Sequence, residues 1–160
     1  VGLVEVLMAV LILSIGVLGF AGMQLKALKS TGTSFDRSQA TILADDILSR
    51  ISVNPGQIAS YTTGWPTTPD TSTGKPSWWN TCSSTSSSSL ACTQAALAAW
   101  DVQQTSWLAS HLLPNGTMAV AQCSGLSTYC VTVAWKSTTV ANCNPGGATN
   151  TDCLIMQVVP

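Results

Sequence analysis

From Val1 to Leu25 the chain is a nearly unbroken run of apolar and small residues in which Glu5 carries the single charge; the next charge is Lys26. No face of this stretch is polar. That is the pattern of a helix covered all round by lipid or by other helices. At about 1.5 Å per residue, some twenty such residues reach roughly 30 Å, the thickness of a bilayer's hydrocarbon core. Beyond Lys26 the pattern changes without stopping. Leu25, Leu28, Phe35, Ile42, Leu43, Ile47 and Ile51 recur at helical spacing, while Lys29, Asp36, Arg37, Asp45 and Arg50 fall mostly elsewhere. The spacing predicts one helix over about residues 2–53, with an apolar stripe on its second half, and Pro55-Gly56 supplies the stop. The chain therefore divides into a hydrophobic helix that a membrane or other helices would cover (1–25), an amphipathic continuation (26–53) and a C-terminal globular domain (54–160).

Within that last region, breakers dominate residues 57–93. Trp65-Pro66, Pro69, Gly74 and Pro76, then the run Ser83–Ser89, read as a connecting loop. Trp78-Trp79 inside it is expected to pack on the long helix or to face a neighbouring molecule. Residues 94–112 predict a short helix with Thr93 as its N-cap. Its apolar positions are Leu97, Trp100, Trp107, Leu108, His111 and Leu112, at spacings of three, four and seven, and Pro114-Asn115-Gly116 ends it. Residues 118–160 hold three short strands. Met118–Gln122 is the first, Tyr129–Lys136 alternates Tyr129, Val131, Val133 and Trp135 against Cys130, Thr132, Ala134 and Lys136, and Leu154–Val159 is the last. Consecutive short strands predict an antiparallel sheet packed on the second half of the long helix, an α+β arrangement.

Charge narrows the function. Six Lys+Arg and seven Asp+Glu make 8% of the 160 residues, with a net charge of −1, so the basic footprint of a dedicated nucleic-acid binder is missing and no specific nucleic-acid binding is expected. A secretory signal peptide would call for a basic n-region, a shorter apolar run and a small-residue cleavage site. The sequence opens at Val1 without these, and a retained helix is the expectation. Glu5 then needs a partner or a task, because a carboxylate at the centre of a membrane helix costs about 2.5–3.5 kcal/mol. The α-amino group of Val1, free or methylated, would neutralise it within the chain or in an adjacent copy. A carboxylate that only reaches lipid headgroups is the plainer alternative.

An apolar N-terminus with Glu at position 5, followed by an unbroken hydrophobic helix, resembles the type IV pilins and pseudopilins. Leu3-Val4-Glu5-Val6-Leu7, Leu13-Ser14-Ile15-Gly16-Val17-Leu18-Gly19, Gln24-Leu25, Ala27-Leu28, Arg37-Ser38-Gln39-Ala40, Asn54-Pro55 and Tyr61-Thr62-Thr63 are similar to the PilV family of minor pilins. Two positions depart from it: Val1 stands where Phe is usual, and Gly2 where Thr or Ser is common. The resemblance implies the type IV pilin fold, a long N-terminal helix on a small antiparallel sheet with disulfide-tied loops. It also implies a precursor cleaved before Val1 by prepilin peptidase, held in the bacterial inner membrane until the pilus assembly machinery adds it to a filament, and then displayed at the cell surface. Other pilin subunits would be its partners, and motility or adhesion its context. The alternatives are the main repeating pilin of a filament, or a type II secretion pseudopilin. Gly16, Gly19 and Gly22 each cost a helix interior about 1 kcal/mol relative to Ala. They read either as close helix packing through small residues or as a segment, within Ser14–Met23, that unwinds on assembly. The resemblance favours unwinding.

Six cysteines, Cys82, Cys92, Cys123, Cys130, Cys143 and Cys153, lie in the C-terminal half with no C-x-x-C pair and only one histidine in the chain. Disulfides in an oxidising space are expected, and no metal or cofactor. Fifteen pairings are open for six cysteines; short loops favour the neighbours 82–92, 123–130 and 143–153. His111 reads as a core or surface residue and not as a catalytic base, since no nucleophile and orienting acid accompany it. Asp45-Asp46 with Arg50 reads as pairing on a helix surface. Asn115-Gly116-Thr117 fits a glycosylation sequon, Ser83–Ser89 would suit O-linked sugar, and the six tryptophans read as core or interface anchors or as an adhesive surface. The expected protein is not an enzyme.

Overall fold

A computed structural model of the chain describes residues 2–82 and 92–159. The expectations that fall on the Val1 amine and on Ser83–Ser89 lie outside the described residues. Helix α1 spans Leu3–Val53, α2 Ile58–Tyr61 and α3 Gln94–Leu112, and strands β1 (Thr117–Gln122), β2 (Tyr129–Ala134) and β3 (Cys153–Val158) follow. The chain falls into two compact units, Val1–Phe35 and Asp36–Pro160. In the first, every described residue of α1 is exposed.

In the second unit, α1 packs through Ala40, Leu43, Ala44, Ile47 and Ile51, a stripe at three- and four-residue steps. Burying an Ile or Leu here stabilises by about 1.5–3 kcal/mol. The expected stripe was too broad: Ile42 points outward, at 58% exposure, because it sits about 100° round the helix from Leu43. The antiparallel sheet has the order β1-β2-β3. Val120, Val131 and Met156 stand opposite one another, as do Met118, Val133 and Leu154, so two cross-strand rows face α1 and α3. Trp135, just past β2, is fully buried beneath them.

Thr93 caps α3 by accepting the backbone N–H of Ala96. The face that α3 buries is a correction to the expected one. It is built from Ala98, Asp101, Val102, Thr105, Ser106 and Ala109, while Leu97, Trp100, Trp107 and Leu108 flank it half-buried and His111 and Leu112 are exposed. Small side chains let α3 approach its neighbours closely, and the large ones close over the sides. Residues 57–82 of the connecting segment also hold more regular structure than their breakers imply. Tyr61 at the end of α2 is fully buried, and a one-turn 3-10 helix at Ser77–Asn80 brings Trp79 edge-on to Trp107 of α3, 4.9 Å between ring centroids. The pair of tryptophans thus packs on the short helix, not on the long one.

Three disulfides tie the unit. Cys82–Cys92 joins the connecting segment to the start of α3, Cys123–Cys130 closes the β1–β2 hairpin, and Cys143–Cys153 anchors the start of β3, with Cα separations of 5.8, 5.1 and 5.7 Å. In the chain-entropy model each loop closure contributes on the order of 2–3 kcal/mol.

Candidate assembly surface

The first half of α1 is long and apolar enough to cross a membrane, and its apolar window is wholly uncovered. Leu3, Leu18 and Met23 are 78%, 72% and 73% exposed, and Leu7, Leu11, Ile15 and Phe20 are open too. Each such side chain forgoes about 1.5–3 kcal/mol by facing water. A dozen together set a free-energy demand far beyond the stability of an ordinary domain, which only lipid or other apolar helices can meet.

Glu5 lies in the first turn of α1, with its backbone N–H donating to the Gly2 carbonyl at 3.0 Å. The position favours a carboxylate, because the unpaired N–H groups of a helix start carry partial positive charge. No cation among the described residues pairs with it. Lys26, the nearest in sequence, is roughly 30 Å along the helix. A charge near one end of an otherwise greasy surface is therefore left for a group outside the described residues. Gly16, Gly19 and Gly22 are helical here, and a Cβ added at any of them would meet open space. Nothing within the single chain asks for glycine at these places, so any need for it arises between molecules or in a different backbone state.

Within the second unit, a polar cluster ties α3 to the second half of α1. Arg50 of α1 donates to Asp101 Oδ1 at 2.6 Å and to Gln104 Oε1 at 2.6 Å on α3, and reaches Asp46 on its own helix at 3.0 Å. The Tyr61 hydroxyl donates to Asp101 Oδ2 at 2.7 Å. Burial, then the bond to Asp101, holds the Tyr61 phenol well above its usual range. Helix-surface pairing of Asp46 with Arg50 is present, but the strong partner is Asp101, which sequence reasoning missed. Asp101 is 4% exposed; its signal was an acid at an i, i+4 step from Thr105 on the small-residue face. Lys136 clamps the other end, reaching Asp36 of α1 at 3.2 Å and Asp152 at 3.4 Å. Burial works against the Lys136 charge, but these two carboxylates outweigh it and raise the pKa.

His111 is exposed and stacks on Trp107 at 3.8 Å. Its Nε2 faces the Ser72 carbonyl and its Nδ1 the Trp107 carbonyl, both at 2.8 Å. Only the imidazolium can donate to both, so the Ser72 and then the Trp107 carbonyl raise its pKa above 6.5, against a small desolvation effect and with help from Asp70. A folded value above the unfolded one means that the tie is complete below pH 6.5 and is lost as pH rises through the raised value. An NMR titration of His111 should therefore show a midpoint above 6.5, and amide exchange around Ser72 should quicken as that midpoint is passed. A midpoint at or below 6.5 would contradict the double hydrogen bond.

Asn115 sits in the turn after α3 at φ 53° and is exposed, whereas Thr117 of its sequon opens β1 at 8% exposure. Among the described residues no three His, Cys, Asp or Glu side chains gather as a metal site. A family model described as "Tt1218-like: Type IV pilin Tt1218" matches residues 22–103, from the apolar helix through the connecting segment into α3. No curated protein and no solved structure matches the chain.

Proposed function

This chain belongs to the Tt1218-like type IV pilin family, a family of structural subunits, and from that premise we propose that it is a PilV-like minor pilin which polymerises through the first half of α1. The observation that carries this reading is the uncovered apolar length of α1 with Glu5 in its first turn. Before assembly the bilayer covers that surface. Prepilin peptidase would release Val1, and the pilus machinery would move the subunit from the inner membrane into a filament outside the cell, where helices of other pilins replace lipid. Glu5 then meets the N-terminal amine of an adjoining copy. In the filament, backbone within Ser14–Met23 becomes extended around Gly16, Gly19 and Gly22, and the disulfide-tied second unit faces solvent. Pilus assembly, and through it motility or adhesion, is the resulting role; Asn115 is the candidate carrier of any N-linked sugar.

Mass spectrometry of sheared surface filaments tests the assignment. The chain is expected there in trace amount beside a more abundant pilin, with Val1 as a methylated N-terminus. An abundant chain would make it the main repeating subunit instead. Its absence from filaments, with genes for an outer-membrane secretin alongside its own, would make it a secretion pseudopilin.

A further inference from the structure

The connecting segment and α3 border an open groove of about 370 Å³ that the assembly surface does not use. Its aromatic wall is Trp78 and Trp107, and its polar rim is Thr68, Asp70, Gln103 and Ser106. The wall is locked in place. Trp78 leans on Trp79 at 5.9 Å between centroids, Trp79 stands edge-on to Trp107, and His111 covers one face of Trp107. Trp100 Nε1 donates to the Trp79 carbonyl at 3.1 Å. The rim is held too: the Asp70 N–H donates to Ser110 Oγ at 3.0 Å, and Asp70 Oδ1 accepts the Ser72 N–H at 2.7 Å. A groove of this size with preset walls suits a small ligand, because little ordering remains to be done on binding.

The lining selects the chemistry. No lysine or arginine lines the groove among the described residues, and the nearby His111 turns both ring N–H groups to the Ser72 and Trp107 carbonyls, so an anionic ligand would meet the Asp70 carboxylate with no lining cation to pair with it. A wholly apolar ligand would strip water from Asp70 and Gln103 without replacing its hydrogen bonds. A ligand with one apolar face, hydroxyls round its edge and no negative charge meets both the aromatic wall and the rim. A sugar ring has this form: its C–H groups lie on an aromatic plane while its hydroxyls reach a polar rim. We propose that this groove binds a neutral saccharide, with Trp78 as the stacking platform and Asp70 and Gln103 hydrogen-bonding the hydroxyls. The assignment stands whether or not the chain polymerises.

The test uses the full chain in zwitterionic micelles whose detergent carries no sugar, titrated with lactose, cellobiose, N,N′-diacetylchitobiose and sialyllactose and followed by tryptophan fluorescence and saturation-transfer NMR. At least one of the three neutral sugars should bind saturably with Kd of about 1 mM. Trp78→Ala should weaken that binding about tenfold or more and Gln103→Ala about threefold, while Trp78→Phe keeps most of it. Gln103 is exposed, so its variant reports on the groove even if Trp78→Ala disturbs the segment. The proposal is overturned by no saturable binding of any neutral sugar up to about 20 mM, by binding that Trp78→Ala and Gln103→Ala leave unchanged, or by tighter binding of sialyllactose.

Discussion

Glu5→Ala should reduce incorporation into sheared filaments at least about tenfold while leaving the amount of chain in the membrane unchanged or higher. The two halves of this expectation have different causes. In the bilayer a carboxylate is a burden, about 2.5–3.5 kcal/mol at the centre of a span, so its removal cannot weaken anchoring. In the proposed filament the same carboxylate would offset an ammonium group that the apolar bundle would otherwise enclose. Removing one partner of a buried pair leaves the other uncompensated at about 3–5 kcal/mol, and each 1.4 kcal/mol is a factor of ten in an equilibrium. Tenfold is thus a floor, since even about 3 kcal/mol corresponds to more than about a hundredfold. Glu5→Gln keeps the shape and loses the charge, and should fail nearly as badly; Glu5→Asp should recover part of the loss. Immunoblots of sheared and membrane fractions separate the two effects. Wild-type amounts of Glu5→Ala in filaments would remove the pairing from the account.

Asp101→Ala is expected to destabilise the second unit by about 3–4 kcal/mol, because it strands two groups at once. Arg50 would lose its partner at 2.6 Å and Tyr61 its acceptor at 2.7 Å, at a site where Asp101 is 4% and Tyr61 0% exposed. A buried hydroxyl without a partner costs about 1–3 kcal/mol and a stranded, partly buried guanidinium adds to it. For a unit of this size the melting temperature should fall by about 10 °C. Tyr61→Phe removes only the donor and should cost about 1 kcal/mol. Asp46→Ala breaks the more exposed arm of the cluster and should cost less than about 1 kcal/mol. Thermal unfolding of the full chain in micelles, followed by near-ultraviolet circular dichroism, gives the ranking. Equal losses for Asp101→Ala and Asp46→Ala would show that the cluster is a surface feature and not an anchor.

The division between what was legible in the chain and what was not follows the range of the forces involved. The apolar run to Leu25, the helix ending before Pro55, the Thr93 cap and the alternation of Tyr129, Val131, Val133 and Trp135 are local signals, because backbone hydrogen bonding and side-chain period act over a few residues. They determine the elements, and with them the long-helix-on-sheet arrangement. The lone acid near the start of an all-round apolar helix was equally legible, because its chemistry needs no fold to make it conspicuous. Three things awaited tertiary structure. Which face of α3 is buried was decided by how closely it could approach its neighbours, and that favoured Ala98, Ala109 and Ser106 over Trp100 and Leu112. The partners of Arg50 and Tyr61 lie 51 and 40 residues away, beyond any periodic signal. The segment from Gln57 to Cys82, rich in breakers, is ordered by Tyr61 in the core and Trp79 on Trp107. Periodicity records where a chain turns its apolar side, whereas shape and the need to satisfy each buried polar group choose what that side meets.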